Sequence, residues 1–311
     1  MIAGTARGFR DILPKEALAR ERISATVRDC FAEHGYLPVE TPLLEDRAAL
    51  ERGGRIKNTP FQLFDADGNL LMLRPDLTLP VARLVAGHVR AEELPARFRY
   101  NAPVVREQQS LRGQPRQFTQ LGVELVGTDG AAAEVEVVRL LAEALATLEV
   151  PAWRLVFGSV TPLTALLSNC SPSPEFSSQV LALVHDSDLV SLDELVDATP
   201  ALKPSAARAL HAVPRMHGSV EVVDAIDELL AEADVPPAER GCAELKALVA
   251  ELSDLFEDGR ASFDFSIINS FDYYTGIIFK GYAEGIAASL ASGGRYDAVL
   301  ANLGRPGLAA C

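Results

Sequence analysis

Apolar positions along the first half of the chain recur at two periods. After Pro14, the side chains Ile23, Val27, Cys30 and Phe31 fall on one face at helical spacing, and Gly35 closes the run, which predicts a helix. Phe61 to Phe64 and Leu70 to Leu73 flank Asp65-Ala66-Asp67-Gly68, a hairpin pattern. Two further strands are predicted over Phe98 to Arg106 and Gln117 to Gly127, separated by a polar loop containing Gly and Arg, and Glu134 to Leu148 reads as a helix.

The texture changes after about Gly158. Thr161-Pro162 and Ser173-Pro174-Glu175 each place a hydroxyl before a proline, as a helix start with its cap does. From there to about Gly259 the chain is rich in Leu, Ala and Glu and is broken by Pro200, Pro204, Pro214 and the Pro236-Pro237 pair. This predicts short helices forming an inserted subdomain. Strand character returns over Ala261 to Lys280, through Ile267, Ile268, Tyr273, Tyr274, Ile277, Ile278 and Phe279. The expected organisation is α+β over residues 1–158, an all-helical insertion over 159–260, and β again over 261–311.

Within Gln117 to Gly127, alternation puts Leu121, Val123 and Leu125 on one face, suited to a helix-covered core. Phe118, Gln120, Gly122 and Glu124 share the other. An amide, a gap and a carboxylate in one row suit a polar ligand pocket; taken alone, the row reads first as an ordinary antiparallel strand with its polar face in water.

Composition narrows the classes. Apolar residues make up 48% and charged residues 23%, a globular profile, and no apolar run reaches the length of a membrane span. The start, Met1-Ile2-Ala3-Gly4-Thr5-Ala6-Arg7, carries no apolar signal core, so no export is expected. Cys30, Cys170, Cys242 and Cys311 form no CxxC or Cys/His cluster and read as scattered thiols of a reducing cytoplasm. The net charge of −14 argues against nucleic acid, whose phosphates demand a basic face, and favours a protein or small-molecule partner. His34, His88, His185, His211 and His217 show no metal or triad spacing, and neither a phosphate loop nor HExxH occurs; no metal or cofactor is expected.

Five segments then occur in one order: Gly8-Phe9-Arg10-Asp11-Ile12-Leu13-Pro14; Leu73-Arg74-Pro75-Asp76-Leu77-Thr78; Arg106 with Arg116-Gln117-Phe118-Thr119-Gln120-Leu121-Gly122-Val123-Glu124; Phe271-Asp272-Tyr273-Tyr274-Thr275-Gly276; and Gly293-Gly294-Arg295-Tyr296-Asp297. Each is weak alone; together, across nearly the whole chain, they resemble the class II histidyl-tRNA synthetase core. The resemblance implies a mostly antiparallel sheet flanked by helices, with a helical insertion before the histidine-reading motif, and a class II dimer.

The departures matter as much. Where the synthetases place an arginine two residues before the Gly-Leu-Asp-Tyr-Tyr-type motif, this chain has Asn269, which cannot stabilise charge developing on a phosphate. The synthetase Arg-His-Glu is Arg106-Glu107-Gln108 here, and the following loop keeps Arg112 but has Gln114 in place of a further arginine. The chain stops at Cys311 without the third motif or an anticodon-binding domain; a chain cut short would explain that, but not Asn269. The Leu-Arg-Pro-Asp-Leu-Thr form resembles the regulatory subunits of ATP phosphoribosyltransferase more than the true synthetases.

That resemblance implies a non-catalytic regulatory subunit that partners a short-form catalytic phosphoribosyltransferase in the first step of histidine biosynthesis, with L-histidine as effector. The alternatives are a divergent histidine-activating ligase and a scaffold that has lost its ligand. By position, Asp76 and Gln120 match the residues that hold the α-ammonium, Glu124 the residue facing the imidazole, and Tyr274 one that addresses or packs on the ring; Thr78 and Tyr273 complete the expected pocket. Thr119 stands where the synthetases have histidine and loosens the fit. Arg106 and Arg116 are expected as an anion-binding remnant, and Arg295 either as a site residue or as a tie for the last strand.

Overall fold

The structure is a computed structural model describing residues 4–54, 61–107, 115–269 and 273–311, with the side chains of Ile268 and Asn269 left out. Arg112, Gln114, Phe271 and Asp272 lie outside the described residues. Contacts divide the chain into two compact units, Met1–Asp129 with Glu136–Glu149 and Tyr296–Cys311, and Gly130–Val135 with Val150–Arg295.

In the first unit, α1 (Pro14–Glu33) opens on proline and buries Val27, Cys30 and Phe31. Gly35 ends it as expected: at φ +80° it turns the chain so that Gly35 N–H donates to Ala32 O and Tyr36 N–H to Phe31 O. Ile23, expected on the buried face, is 47% exposed. Its place one turn or more before Val27 puts it beyond the reach of the cluster that covers the helix's C-terminal half. β1 (Leu37–Pro38) pairs in parallel with β5 (Ala96–Val105), and β5 with β6 (Gln117–Val126) in a long antiparallel ladder. Leu121 and Val123 of β6 pack on Val27, Cys30, Phe31 and Tyr36, and on Leu140 and Ala144 of α4 (Ala131–Thr147). The pattern-derived split of β6 into an apolar and a polar face therefore holds. Glu136 locks this layer, taking both Arg97 guanidinium donors at 2.7 Å and the Tyr36 hydroxyl at 2.9 Å.

A second, antiparallel sheet orders β2 (Leu44–Asp46), β4 (Leu70–Leu73) and β3 (Gln62–Phe64), with α2 (Arg47–Gly53) after β2. The hairpin turn is held by the Asp65 carboxylate, which accepts the N–H groups of Asp67 and Asn69 at 2.9 Å each. α3 (Thr78–His88) follows β4 directly. The last residues of the chain return to this unit. There Leu125 and Cys311 exchange backbone hydrogen bonds, extending the sheet beside β6.

The second unit carries a five-stranded sheet and helices. Its strands are β7 (Arg154–Ser159), β8 (His217–Gly218), β9 (Ala261–Asp264), β10 (Ile277–Tyr282) and β11 (Ala291–Gly294), in the order β11-β10-β7-β9-β8. Only β7 with β9 is parallel among these pairs. The helices include α5 (Thr161–Cys170), α6 (Pro174–His185), α7 (Leu189–Asp197), α8 (Pro204–Ala212), α9 (Glu221–Glu232), α10 (Cys242–Glu251) and α11 (Ser253–Glu257). Phe157, Phe256, Phe263 and Phe265 stack in a chain with ring centroids 5.3–6.2 Å apart, joining sheet to helix α11. α12 (Asp297–Asn302) belongs to the first unit.

Two expectations fail here for local reasons. Strand character does not run through Ile267: Asp264 Oδ1 accepts the Ser266 N–H at 2.9 Å, and the chain turns into a 3-10 helix at Phe265–Asn269 before β10. Gly158 makes room for that turn, since a Cβ there would sit 2.9 Å from Ile267. The stretch 159–260 is also not wholly helical, because His217–Gly218 pairs with β9.

Candidate functional site

Polar side chains rarely enter a core unpaired, so the buried ones mark the site. In the first unit, Asp76 is 5% and Glu124 2% exposed. Asp76 stands just before α3, where its Oδ1 accepts the Leu79 N–H at 3.2 Å and the Thr78 amide adds a second bond. A carboxylate there suits the positive end of the helix. Even so, burial pushes Asp76 above the usual carboxylate range, with the Arg106 guanidinium pulling the other way.

Glu124 is gripped from three elements. Tyr100 of β5 donates its hydroxyl to Oε1 at 3.1 Å, Tyr296, ahead of α12, donates to Oε2 at 2.6 Å, and the Thr78 hydroxyl bonds it as well. Burial raises Glu124 to about 7; the three hydroxyls oppose the rise, and the neighbouring Asp76 charge adds to it. Gln120, on the same face of β6, has its amide oxygen buried without a donor. The structure thus brings Asp76, Thr78 and Glu124 together around Tyr100, with Gln120 on the same strand face.

Tyr100 and Tyr296 were not among the expected residues. The gap that alternation left at Gly122 is occupied: Tyr100 is its ladder partner and lies across it, so that a Cβ on Gly122 would meet the Tyr100 hydroxyl at 2.4 Å. A glycine facing an aromatic across an antiparallel pair was the available signal.

Tyr273 and Tyr274 lie in the second unit, edge to face with centroids 4.9 Å apart; Tyr273 is buried, and Tyr274 rests on Gly294, where a Cβ would stand 2.9 Å away. Thr275 N–H donates to Arg295 O at 2.8 Å, holding this turn against β11. Arg295 behaves as a tie: its guanidinium reaches Glu134 at 3.0 Å and Gly130 O at 3.2 Å.

The two arginines expected as an anion-binding remnant are engaged by the protein itself. Arg116 pairs with Glu107, donates to Arg7 O at 3.0 Å and lies 5.5 Å over Phe61. The acidic residue following Arg106 thus answers the charge an external anion would need. Arg106 donates to Pro75 O at 2.6 Å and lies 5.1 Å over Phe118, on the Asp76 side of the site. No group of acidic, His or Cys side chains fit to hold a metal occurs among the described residues, and no described helix is long and apolar enough to cross a membrane.

What this arrangement offers is recognition: two buried acids, one amide oxygen awaiting a donor, and hydroxyls that fix one of the acids. A profile of the family described as Histidyl-tRNA synthetase matches residues 8–310. A protein of Moorella thermoacetica named ATP phosphoribosyltransferase regulatory subunit is 35% identical over 301 residues, 96% of this chain and 76% of its own. One of the same name from Symbiobacterium thermophilum is 36% identical over 307 residues, covering 96% and 74%. A solved structure described as an ATP phosphoribosyltransferase regulatory subunit/histidyl-tRNA synthetase from Bacillus halodurans matches with TM-score 0.88 and 29% identity over 100% of this chain and 80% of that one. The histidyl-tRNA synthetase of Nostoc sp. PCC 7120, 20% identical with TM-score 0.80 over 100% and 72%, shares the fold. The chain belongs to the class II histidyl-tRNA synthetase-like family that includes the ATP phosphoribosyltransferase regulatory subunits.

Proposed function

We propose that this chain is a non-catalytic regulatory subunit of ATP phosphoribosyltransferase, acting in the cytoplasm with a short-form catalytic subunit and sensing L-histidine. The observation that carries the reading is the pair of buried carboxylates, Asp76 and Glu124, with the buried amide oxygen of Gln120, in a chain whose relatives bear that name. Asp76 supplies the charge for the ligand's α-ammonium, and the unsatisfied Gln120 oxygen a second acceptor. Glu124 accepts an imidazole N–H. Apolar amino acids would bring Glu124 no N–H beyond its three hydroxyl partners, a loss of about 1–3 kcal/mol relative to an imidazole. Asn269 in place of the synthetase arginine supports the absence of adenylate chemistry.

Self-association in the class II manner is part of the same proposal, and exposed apolar side chains of the first unit support it: Leu18 at 54% and Ile23 at 47% on α1, and Leu37 at 65% on β1. Calorimetry tests the ligand. L-Histidine is expected to bind the wild-type chain at about micromolar affinity and to bind Glu124→Ala roughly ten- to a hundredfold more weakly, with leucine and phenylalanine weak on both. Equal histidine binding by the two proteins, or none by either, would contradict the assignment.

A further inference from the structure

Glu124 is held by hydroxyls from three other elements, and the geometry of the two phenols among them is specific. Each carboxylate oxygen receives one phenol, Tyr100 at Oε1 and Tyr296 at Oε2, so the plane of the carboxylate is fixed from both ends. Both tyrosines are themselves buried, at 8% and 1% exposure. Tyr100 reaches Oε1 only because Gly122, opposite it in the ladder, leaves the strand bare. Tyr296 is anchored by its own N–H donating to Ala310 O, and Asp297 Oδ1 accepts the Ala310 N–H, so the phenol is set by a closed backbone loop.

We propose that Tyr100 and Tyr296 are positioning residues of this pocket, holding the Glu124 carboxylate in its charged, acceptor-only form, so that the affinity for an imidazole ligand follows the proton on Glu124. The proposal rests on the histidine-binding reading above.

The reasoning is electrostatic. A neutral carboxylic acid must turn its O–H toward some acceptor, and a phenol that donates to each oxygen leaves it the weaker option. The groups facing Glu124 are the Tyr100 phenol from β5, the Tyr296 phenol ahead of α12, the Thr78 hydroxyl at the start of α3, and the Asp76 carboxylate, with Arg106 beyond Asp76. Cys311 lies near Tyr296. Burial and Asp76 disfavour the charge; the hydroxyls favour it, and the balance falls at about 7. Removing either phenol shifts the balance toward the neutral acid. The midpoint then moves up, and at neutral pH less of the protein presents an acceptor.

The test has two readouts. In the ligand-free protein, with isotope-labelled glutamate carboxyls followed by NMR and Glu124 identified through Glu124→Gln, the wild-type midpoint is expected near 7. It is expected roughly one pH unit or more higher in Tyr296→Phe and in Tyr100→Phe. Calorimetry with L-histidine from about pH 6.5 to 8.5, corrected for the ligand's own imidazole, is expected to show roughly tenfold weaker binding by the variants near neutrality and a smaller deficit at the alkaline end. A midpoint that does not move, or an affinity lowered by one factor at every pH, overturns the proposal. If the wild-type protein binds no histidine while the midpoint still moves, the positioning of Glu124 stands and the histidine reading fails.

Discussion

Glu124 is a buried acid whose proton affinity differs between the folded and unfolded chain, and this links it to stability. Its value rises from 4.5 to about 7 on folding. A raised acid makes the folded state the stronger proton binder, so its contribution is complete below about pH 4.5 and is lost as pH climbs through about 7. The loss amounts to about 3 kcal/mol. Glu124→Gln cannot titrate, so the variant is expected to lose less stability than wild type between pH 5 and pH 8, read from urea midpoints at the two ends. Parallel pH profiles for the two proteins would show that Glu124 is not the group responsible. Asn269 makes a second expectation at this scale: no histidine-dependent pyrophosphate exchange above background, because the charge that would stabilise the α-phosphate is missing, a loss of order 10²–10³ in rate. Clear exchange activity would contradict it. The shared strand face of Gln120 and Glu124 was legible from alternation, whereas Asp76 stood out through the family resemblance alone. Tyr100 and Tyr296 were not legible, because what makes them partners of Glu124 is strand register and the return of the chain's last residues, neither of which is a property of any one segment.

At the scale of elements, the two Pro-headed helix starts behave differently. Ser173 is a true cap, accepting the Phe176 N–H at 3.2 Å at the start of α6. Thr161 is already inside α5; Val160 holds the cap position, Ser159 Oγ accepts the Thr161 N–H, and the Thr161 methyl packs at Gly241. Ser173→Ala is therefore expected to destabilise by about 1 kcal/mol and Thr161→Ala by less than half of that, with denaturant midpoints as the measure. A larger loss at Thr161 would reverse the assignment. The sequence pattern could not separate them, since a hydroxyl before proline looks the same whether or not it faces the helix amides. For the same reason Ile267 counted toward strand character: the residue types do not mark the break, which lies in the Asp264 side-chain bond and in the space at Gly158. By contrast, the β5–β6 ladder and the end of α1 were readable because their determinants, alternation and Gly35, are local.

Across the whole molecule, charge is unevenly spread. Residues 159–260 contain six Lys and Arg against 18 Asp and Glu, a net charge of −12 out of −14. No Lys or Arg occurs from 155 to 202. A field of that sign steers a basic partner and repels polyanions. Association with the catalytic subunit is expected to slow as ionic strength rises, about tenfold or more between low and physiological salt, with dissociation changing less; a salt-independent association rate would contradict this role for the acidic segment. Under the proposed function the chain regulates a short-form ATP phosphoribosyltransferase. The direct measurement is the steady-state rate of the purified catalytic subunit alone, with this chain, and with this chain plus L-histidine. A changed rate on mixing is expected, with a histidine-dependent inhibition that weakens in Glu124→Ala. A rate indifferent to this chain at micromolar concentration, with no co-eluting complex, would contradict it.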